Sequence, residues 1–410
     1  MTAYNKKWHV KEELCDFDAV SLYPSAMARI SVINGPPKVI QDDQLNLNYL
    51  NAHSNAYVVE ILITKVNKHY PFPLIVQKIN GLNLNDDNNI SEENPVTMVV
   101  DNIALEDLIV YQNIQFKLVR GYYWDEGYDP TIQRVIQEIF QKRVEYKRQN
   151  NPLQQIYKLI MNSCYGKTIE KPINKEWKYL KKGDRADNYA AKNYFRIIER
   201  IKIEDSDIES FNIKRPIDKH FNLSLLGVQV LSMSKRIMNE VMCLAYDIGC
   251  KIFYQDTDSM HIVKSDLPKL EAAFEARYNR KLIGNNLGQF HSDFTSDDGR
   301  SDVNCAVESY FIMKKTYIDK LSYNDGGIGY MSRAKGIPTD TRYIHADLDY
   351  DGNIMELYRS LYKGNEIEFN LLLGTTKFKL NSNQTITNVE KFPRTLKTIY
   401  EKGDVNTYFQ

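Results

Sequence analysis

The segment 251–263 constrains the fold more than any other stretch of the chain. A short apolar run is followed by an acidic turn and then by a second apolar run. Two such runs predict an antiparallel hairpin with the acidic residues at its tip. On an extended backbone, residues two apart point to the same side, so we expect the carboxylates of Asp256 and Asp258 to converge. Such a pair favours a bound divalent cation, while a solvated turn or the Asp-x-Asp of a sugar-nucleotide transferase remains open.

A second acidic segment begins near the N-terminus. Residues 14–18 predict a strand that ends on Asp18, and residues 22–29 predict a short helix. The backbone N–H groups at the start of such a helix can receive phosphate oxygens. Tyr23 would lie under the sugar of a bound nucleotide and exclude a 2′-hydroxyl, and core packing is its alternative role.

Two consecutive helices are predicted in the middle of the chain. Asp129-Pro130 is a typical helix start, and the apolar spacing after it predicts a helix to about Arg148. Asn150-Asn151-Pro152 ends this helix, and a second one runs from about Leu153 toward Tyr165. Because the break is so short, we expect the two helices to be antiparallel neighbours.

Each of these helices carries polar groups on one face. Arg143 and Lys147 are four residues apart, and Lys158, Asn162 and Tyr165 follow the same helical spacing. Turned toward each other, these groups would bind a triphosphate, with a forked guanidinium and point-charge ammonium groups. From residue 134 to 202 there are 17 Lys and Arg against 7 Asp and Glu, although the whole chain is neutral. A basic stretch beside acidic segments suits a phosphate-binding surface, and a solvated charged face is the alternative.

The remaining patterns set the fold class. A third helix is predicted over 224–247, where Gly249 can terminate it, and Asn85 to Asn94 predicts an exposed loop. Strands and helices are mixed without repeated βαβ units, so the class is α+β.

Five short motifs, in order, resemble those of the family B DNA polymerases. They lie between residues 16 and 336. The motifs are Asp18-x-x-Ser21-Leu22-Tyr23-Pro24-Ser25, Lys158-x-x-x-Asn162-Ser163-x-Tyr165-Gly166, Tyr254-x-Asp256-Thr257-Asp258-Ser259, Lys315-Thr316-Tyr317 and Ala334-Lys335-Gly336. Gaps of about 140 and about 90 residues between the first three motifs resemble the protein-primed branch of that family.

The resemblance implies a right-hand polymerase fold with palm, two-helix fingers, thumb and two inserted subdomains. The implied parts are the palm (1–30 and 223–334), a first insertion that contacts a priming terminal protein (31–127), the fingers (128–169), a second insertion for processivity and strand displacement (170–222) and the thumb (335–410). Only 17 residues precede Asp18, so we expect a polymerase core without an exonuclease domain.

The resemblance also implies the site. Asp18, Asp256 and Asp258 would be the catalytic and metal-binding residues, holding two Mg²⁺ ions, for which Mn²⁺ can substitute; Asp18 and Asp258 are the stronger candidates for direct ligands. The implied nucleotide-binding residues are Leu22, Tyr23, Arg143, Lys147, Lys158, Asn162, Ser163 and Tyr165. The implied DNA- and primer-binding residues are Ser259, Lys315, Tyr317 and Lys335.

The expected partners are primer-template DNA, dNTPs and a terminal protein. The expected reaction is addition of dNMP to a primer 3′-hydroxyl in replication of a viral or mobile-element genome. The alternative is an inactive polymerase-like subunit that binds nucleic acid.

Composition narrows the cellular setting. The sequence has no apolar run near the roughly 20 residues that span a bilayer, and its first 14 residues lack a signal-peptide core. The five cysteines form no Cys-x-x-Cys pair, which argues against a zinc site and a disulfide framework. We expect the cytoplasm or a viral replication compartment of the host cell, without secretion or membrane insertion.

Overall fold

A computed structural model describes residues 1–79, 82–171, 174–216, 222–369, 377–380, 386–389 and 394–397. Its strands are β1 (Trp8–Val10), β2 (Leu14–Ala19), β3 (Val32–Ile33), β4 (Lys38–Val39), β5 (Ala56–Lys65), β6 (Gln77–Ile79), β7 (Leu82–Leu84), β8 (Val96–Asp101), β9 (Gln115–Trp124), β10 (Tyr128–Asp129), β11 (Lys175–Lys181), β12 (Ile197–Lys202), β13 (Ile208–Lys214), β14 (Ile252–Asp256), β15 (Ser259–Val263), β16 (Phe290–Ser292), β17 (Val303–Met313), β18 (Thr316–Tyr323), β19 (Ile328–Ala334), β20 (Ile367–Phe369), β21 (Lys377–Leu380), β22 (Ile386–Val389) and β23 (Arg394–Leu396). Its helices are α1 (Leu22–Met27), α2 (Leu47–His53), α3 (Asn102–Gln112), α4 (Thr131–Arg148), α5 (Leu153–Thr168), α6 (Asp184–Asn193), α7 (Ser224–Asp247), α8 (Leu267–Tyr278), α9 (Thr339–Asp349) and α10 (Ile354–Lys363).

The mixture of helices with antiparallel sheets confirms the α+β class. The described residues form two compact units, 1–162 with 228–369 and 394–397, and 163–227 with 377–380 and 386–389. The helices that the structure describes are all too short or too polar to cross a membrane.

The central sheet of the first unit is forked. Its strand order is β14-β15-β2-β17-β18-β19, with β16 paired to β2 and β1 paired to β17. Among the described residues, β2 and β17 pair only through Leu14 and Ala306. From Phe17 onward, the same edge of β2 pairs with β16 instead. The sheet therefore divides into a carboxylate branch (β14, β15, β2 and β16) and a lysine branch (β1, β17, β18 and β19).

One apolar cluster joins the two branches. Its buried members include Tyr254 and Val263 from the carboxylate branch and Phe311, Tyr317 and Leu321 from the lysine branch. Burying each such side chain stabilises the fold by about 1.5–3 kcal/mol. The core of the first unit therefore lies directly beneath the predicted acidic hairpin.

The two predicted central helices are confirmed as an antiparallel pair. The Asp129 side chain accepts a 2.8 Å hydrogen bond from the backbone N–H of Thr131, where α4 begins. Between the helices, Asn150 has a left-handed backbone (φ 50°). Tyr146 of α4 stacks on Tyr157 of α5, and Phe140 packs with Met161. Because the residue numbers rise on one helix as they fall on the other, the helices run in opposite directions.

The other local predictions near the site are also confirmed, with small shifts. Helix α7 has the predicted bounds, and Gly249 follows it with φ 76°. The hairpin is formed by β14 and β15. Strand β2 extends one residue beyond Asp18, and α1 ends at Met27 instead of Arg29 because Ala28 already closes its last turn.

Residues 31–127 build a sheet of order β4-β9-β5-β8, against which α3 packs. The core side of β5 carries Tyr57, Val59, Ile61 and Ile63, as expected for a strand with one buried face. The loop from 85 to 94 is mostly exposed as predicted, except that Asp87 and Ile90 are buried. Asp87 is hydrogen-bonded to His69 and Gln112, and Ile90 belongs to the apolar core of this region.

The second unit contains a three-stranded antiparallel sheet of order β11-β13-β12, with α6 packed on one face through Ala186, Phe211 and Ile213. It holds most of the predicted second insertion, of which residues 172–173 and 217–221 lie outside the described residues.

Of the predicted thumb, α9, α10 and the strand pair β20–β23 belong to the first unit, and the strand pair β21–β22 belongs to the second. Of that segment, residues 370–376, 381–385, 390–393 and 398–410 lie outside the described residues.

Candidate active site

Asp18 lies at the end of β2, beside the tip of the β14–β15 hairpin. In the register of β2 and β15, Asp18 pairs with Ser259. The backbone N–H of Ala19 donates to the carbonyl oxygen of Asp258 at 2.8 Å. Next, Ser21 takes a left-handed backbone conformation (φ 48°), and α1 begins. Strand pairing alone therefore brings two acidic segments that are far apart in the sequence to one edge of the sheet.

Asp18 and Asp258 both resist ionisation. Burial, then the charge of Asp258 and then that of Asp16, raise the pKa of Asp18 to about 8. Burial also raises the pKa of Asp258, with a further contribution from Asp256. The charge of Lys158 acts in the opposite direction and lowers the pKa of Asp18.

Asp256 is placed differently from the other two aspartates. Its Oδ1 lies 3.6 Å from Nζ of Lys315 and accepts a 3.3 Å hydrogen bond from the hydroxyl of Thr257. Thr257 has a left-handed backbone (φ 60°). The extended backbone that we assumed from Asp256 to Asp258 is therefore wrong. Because side chains two residues apart share a face only in a strand, the two carboxylates do not point to the same side for the reason that we gave.

The donor set suits Mg²⁺ with two protein carboxylates. In the part of the chain that the structure describes, no three or more His, Cys, Asp and Glu side chains are arranged so that they could hold a metal ion. The three predicted aspartates therefore do not form a closed cage. Mg²⁺ in nucleotide sites is usually held by one or two carboxylates, with water and phosphate oxygens as its other ligands. Asp18 and Asp258 fit this pattern, and a cation would relieve the repulsion that raises the pKa of Asp18.

On the helix pair, Arg143 is anchored at the site. Its Nη1 donates to the hydroxyl of Ser21 at 3.0 Å, and burial lowers the pKa of its guanidinium. Its Nε is buried without a hydrogen-bond partner among the described residues. Lys147, Lys158 and Asn162 are exposed. The predicted basic groups thus include one fixed guanidinium and two solvated ammonium groups.

Tyr23 and Leu22 line a cavity of about 310 Å³. Asp256, Lys235 and Lys314 line the same cavity. Leu22 is buried. The predicted gate residue therefore adjoins both the hairpin tip and two lysines.

Of the predicted primer contacts, Lys315 and Tyr317 lie at the start of β18. Lys315 has φ 57°, and its backbone N–H donates to the hydroxyl of Tyr254 at 2.8 Å. Tyr317 is only 6% exposed and packs against Tyr254 and His261. Ser259 pairs with Asp18 in the register of β15 and β2, and its side chain acts against burial in setting the pKa of Asp16.

Three further predicted residues are Lys335, Ser163 and Tyr165. Lys335 is exposed just after β19. Ser163 and Tyr165 belong to the second unit.

Sequence reasoning missed several polar residues beside the carboxylate pair. Asp293 acts electrostatically on Asp18 and Asp258, and His291 is paired with Asp18 between β16 and β2. His261 is fully buried between Asp16 and Asp319. Asp16 could have been proposed from the sequence, because it lies two residues before Asp18. No sequence pattern indicated Asp293 or His291, because β16 is only three residues long.

Comparisons with known proteins agree with this geometry. Residues 2–202 match the family described as DNA polymerase type B, organellar and viral. A DNA polymerase of Kluyveromyces lactis is 26% identical over 377 residues, which are 87% of this chain and 33% of that protein. The chain thus spans about a third of the length of this curated relative.

Among solved structures, two complexes of phi29 DNA polymerase share the fold. The complex with primer-template DNA has a TM-score of 0.59 at 15% identity, covering 97% of this chain and 60% of that one. The ternary complex with primer-template DNA and incoming nucleotide substrates has a TM-score of 0.56 at 14% identity with the same coverage. The predicted right-hand fold is therefore confirmed.

Proposed function

Since the chain is a relative of the organellar and viral type B DNA polymerases, we propose that it catalyses template-directed addition of dNMP to a primer 3′-hydroxyl. The paired carboxylates Asp18 and Asp258 carry this proposal. Two segments that are far apart in the sequence meet through the pairing of β2 with β15. Burial, followed by the repulsion between the carboxylates, makes their ionised forms costly unless a cation is bound. The two similar phi29 DNA polymerase structures are complexes with primer-template DNA, one of them also with incoming nucleotides, which supports the same substrates here.

The chemistry would be an attack of the primer hydroxyl on the α-phosphate of the dNTP, with pyrophosphate as the leaving group. Mg²⁺ ions, two per site and replaceable by Mn²⁺, would supply charge neutralisation for the attacking and leaving oxygens. Asp18 and Asp258 would hold them, while Asp256, already in contact with Lys315, would shape the hairpin tip.

The basic helix pair would bind the triphosphate. Arg143 is preorganised by its hydrogen bond to Ser21, so little side-chain entropy is lost when it contacts phosphate. Lys147 and Lys158 are exposed to solvent, so each would add a point charge that water partly screens. Lys158 lowers the pKa of Asp18, which supports a role for this helix face beside that carboxylate.

Primer extension tests the proposal. The wild type and Asp258→Asn are compared on a singly primed template over an Mg²⁺ titration, and duplex DNA binding is measured in parallel. We expect the substitution to abolish extension and leave binding nearly unchanged, because only a metal ligand is lost. Extension by Asp258→Asn at the wild-type rate would contradict the assignment, whereas binding without extension by the wild type would indicate the inactive subunit instead.

We further propose a terminal protein as a primer and a viral or mobile-element replication compartment in the cell as the setting. The test is incorporation of a labelled dNMP onto protein in place of a DNA primer. Incorporation only onto DNA primers would remove this part of the proposal and leave the polymerase reaction intact.

A further inference from the structure

A polar network lies inside the apolar cluster that joins the two branches of the central sheet. His261 is fully buried, and its Nε2 lies 3.1 Å from Oδ2 of Asp319. Its Nδ1 lies 3.8 Å from Oδ1 of Asp16, which is beyond hydrogen-bond distance, and both atoms are buried without a hydrogen-bond partner among the described residues. The hydroxyl of Ser309 donates to the other oxygen of Asp319 at 2.6 Å. Four strands, β2, β15, β17 and β18, thus contribute to one network.

The surroundings of this network make it costly. The rings of Tyr254, Phe294, Phe311 and Tyr317 stand 4.9–5.7 Å from the imidazole of His261. Burying polar groups among aromatic side chains is unfavourable unless they are hydrogen-bonded, and well-packed apolar residues often stabilise such a position as well or better. General stability therefore does not account for the network.

Its place in the sheet suggests what it does. His261 pairs with Asp16 across β15 and β2, and the next pair on the same face is Ser259 with Asp18. Asp319 lies on β18, in the lysine branch. Because the branches pair directly only at Leu14 and Ala306 within the described residues, the contact between His261 and Asp319 is a polar link across the fork.

Lys315 is the group in the lysine branch that this link would position. It precedes β18, on which Asp319 lies, and its Nζ approaches Asp256 at 3.6 Å. Its backbone N–H also donates to Tyr254, which contacts the His261 ring edge-on. A shift of the lysine branch would therefore move Lys315 away from the hairpin tip.

We propose that His261 is a positioning residue that, by joining Asp16 and Asp319 across the forked sheet, holds Lys315 in register with the catalytic carboxylates. This inference rests on the proposed polymerase function. It concerns a residue that touches neither substrate nor metal and acts through Lys315.

A double-mutant cycle tests the inference. Extension rates at saturating dNTP are measured for the wild type, His261→Gln, Lys315→Ala and the double variant. We expect His261→Gln to lower the rate about tenfold while the KM for dNTP changes by less than about twofold. Lys315→Ala should then cost at least about fivefold less in the His261→Gln background than in the wild type, because its position is already lost.

His345→Gln is the matched control. His345 is also a buried histidine beside an aspartate, Asp349 at 3.3 Å, but it lies on α9. Its cycle with Lys315→Ala should be additive. Ser309→Ala, which removes one donor to Asp319, provides a milder variant should His261→Gln fail to fold, and it should show the same non-additivity at smaller size.

The outcomes separate the two proposals. Additive effects with Lys315→Ala for both His261→Gln and Ser309→Ala, in an active wild type, would overturn the positioning role and leave the polymerase function standing. Lack of any effect of Lys315→Ala in the wild type would do the same. A wild type that does not extend primers would overturn the proposed function and, with it, this inference.

Discussion

Replacing Asp18 by asparagine should stabilise the metal-free protein at high pH. The pKa of Asp18 is raised from 3.8 to about 8 in the folded protein, so the folded state binds more protons than the unfolded state between these values. The contribution of Asp18 to the free energy of unfolding is therefore greatest below about pH 4, and it is lost as the pH rises from about 4 through about 8. Asparagine cannot ionise, and the variant should lack this loss.

The size of the effect follows from the same shift. A difference of about four pH units at 1.36 kcal/mol each gives a ceiling of about 6 kcal/mol. Asp18 is only partly buried, so solvent screening reduces this figure, and we expect about 2–3 kcal/mol at pH 9 and near zero at pH 4.

The assay is urea unfolding of the wild type and Asp18→Asn in EDTA from pH 4 to 9. The difference between the variants is the quantity of interest, because Asp258 and Asp16 titrate in both. Glu92→Gln, in an exposed loop, is the control and should show no comparable pH-dependent difference. Addition of Mg²⁺ at pH 8 should stabilise the wild type more than Asp18→Asn. Equal stability differences at pH 5 and pH 9, or a less stable Asp18→Asn at pH 9, would refute the electrostatic reasoning.

Three further substitutions test the nucleotide-binding groups. Tyr23→Val should raise incorporation of ribonucleotides in a competition between rNTP and dNTP, and an unchanged preference would exclude a sugar gate. Arg143→Lys loses the fixed contact to Ser21 and should raise the KM for dNTP about tenfold in steady-state extension. The control Arg134→Lys, at an exposed position of α4, should leave this KM unchanged. Lys158→Ala should raise the same KM or reduce kcat. Loss of the ammonium group should also raise the pKa of Asp18 further. Kinetics equal to those of the wild type would mean that this helix face does not contact the triphosphate.

Local signals in the sequence predicted the elements that build the site. The helix start near Asp129 and the break at Asn150 depend on neighbouring residues, so the helix pair and its antiparallel course could be predicted, although Pro130 and not Asp129 is the N-cap. The left-handed backbone of Thr257 could not be predicted, because a β-branched residue rarely adopts this conformation. The prediction that Asp256 and Asp258 share one face of a strand was therefore wrong.

Long-range pairing was beyond sequence reasoning. The fork after Leu14 depends on which strand edge β16 and β17 choose, and no spacing rule fixes that choice. The contact between His261 and Asp319 spans 58 residues and arises from the fork. Family motifs indicated the carboxylates, but the groups around them are brought there by the pairing of strands that are distant in the sequence.

The left-handed residues around the site have a consequence for engineering. Ser21, Thr257 and Lys315 lack the freedom of glycine, and each such conformation costs about 1–2 kcal/mol. Directed evolution for heat tolerance should accordingly drift toward glycine or asparagine at these positions, because the unfavourable torsions would be relieved. Where a rigid turn holds a reacting group, such substitutions should lower the activity. We expect the gain in thermal stability to be accompanied by a loss of turnover first at Thr257.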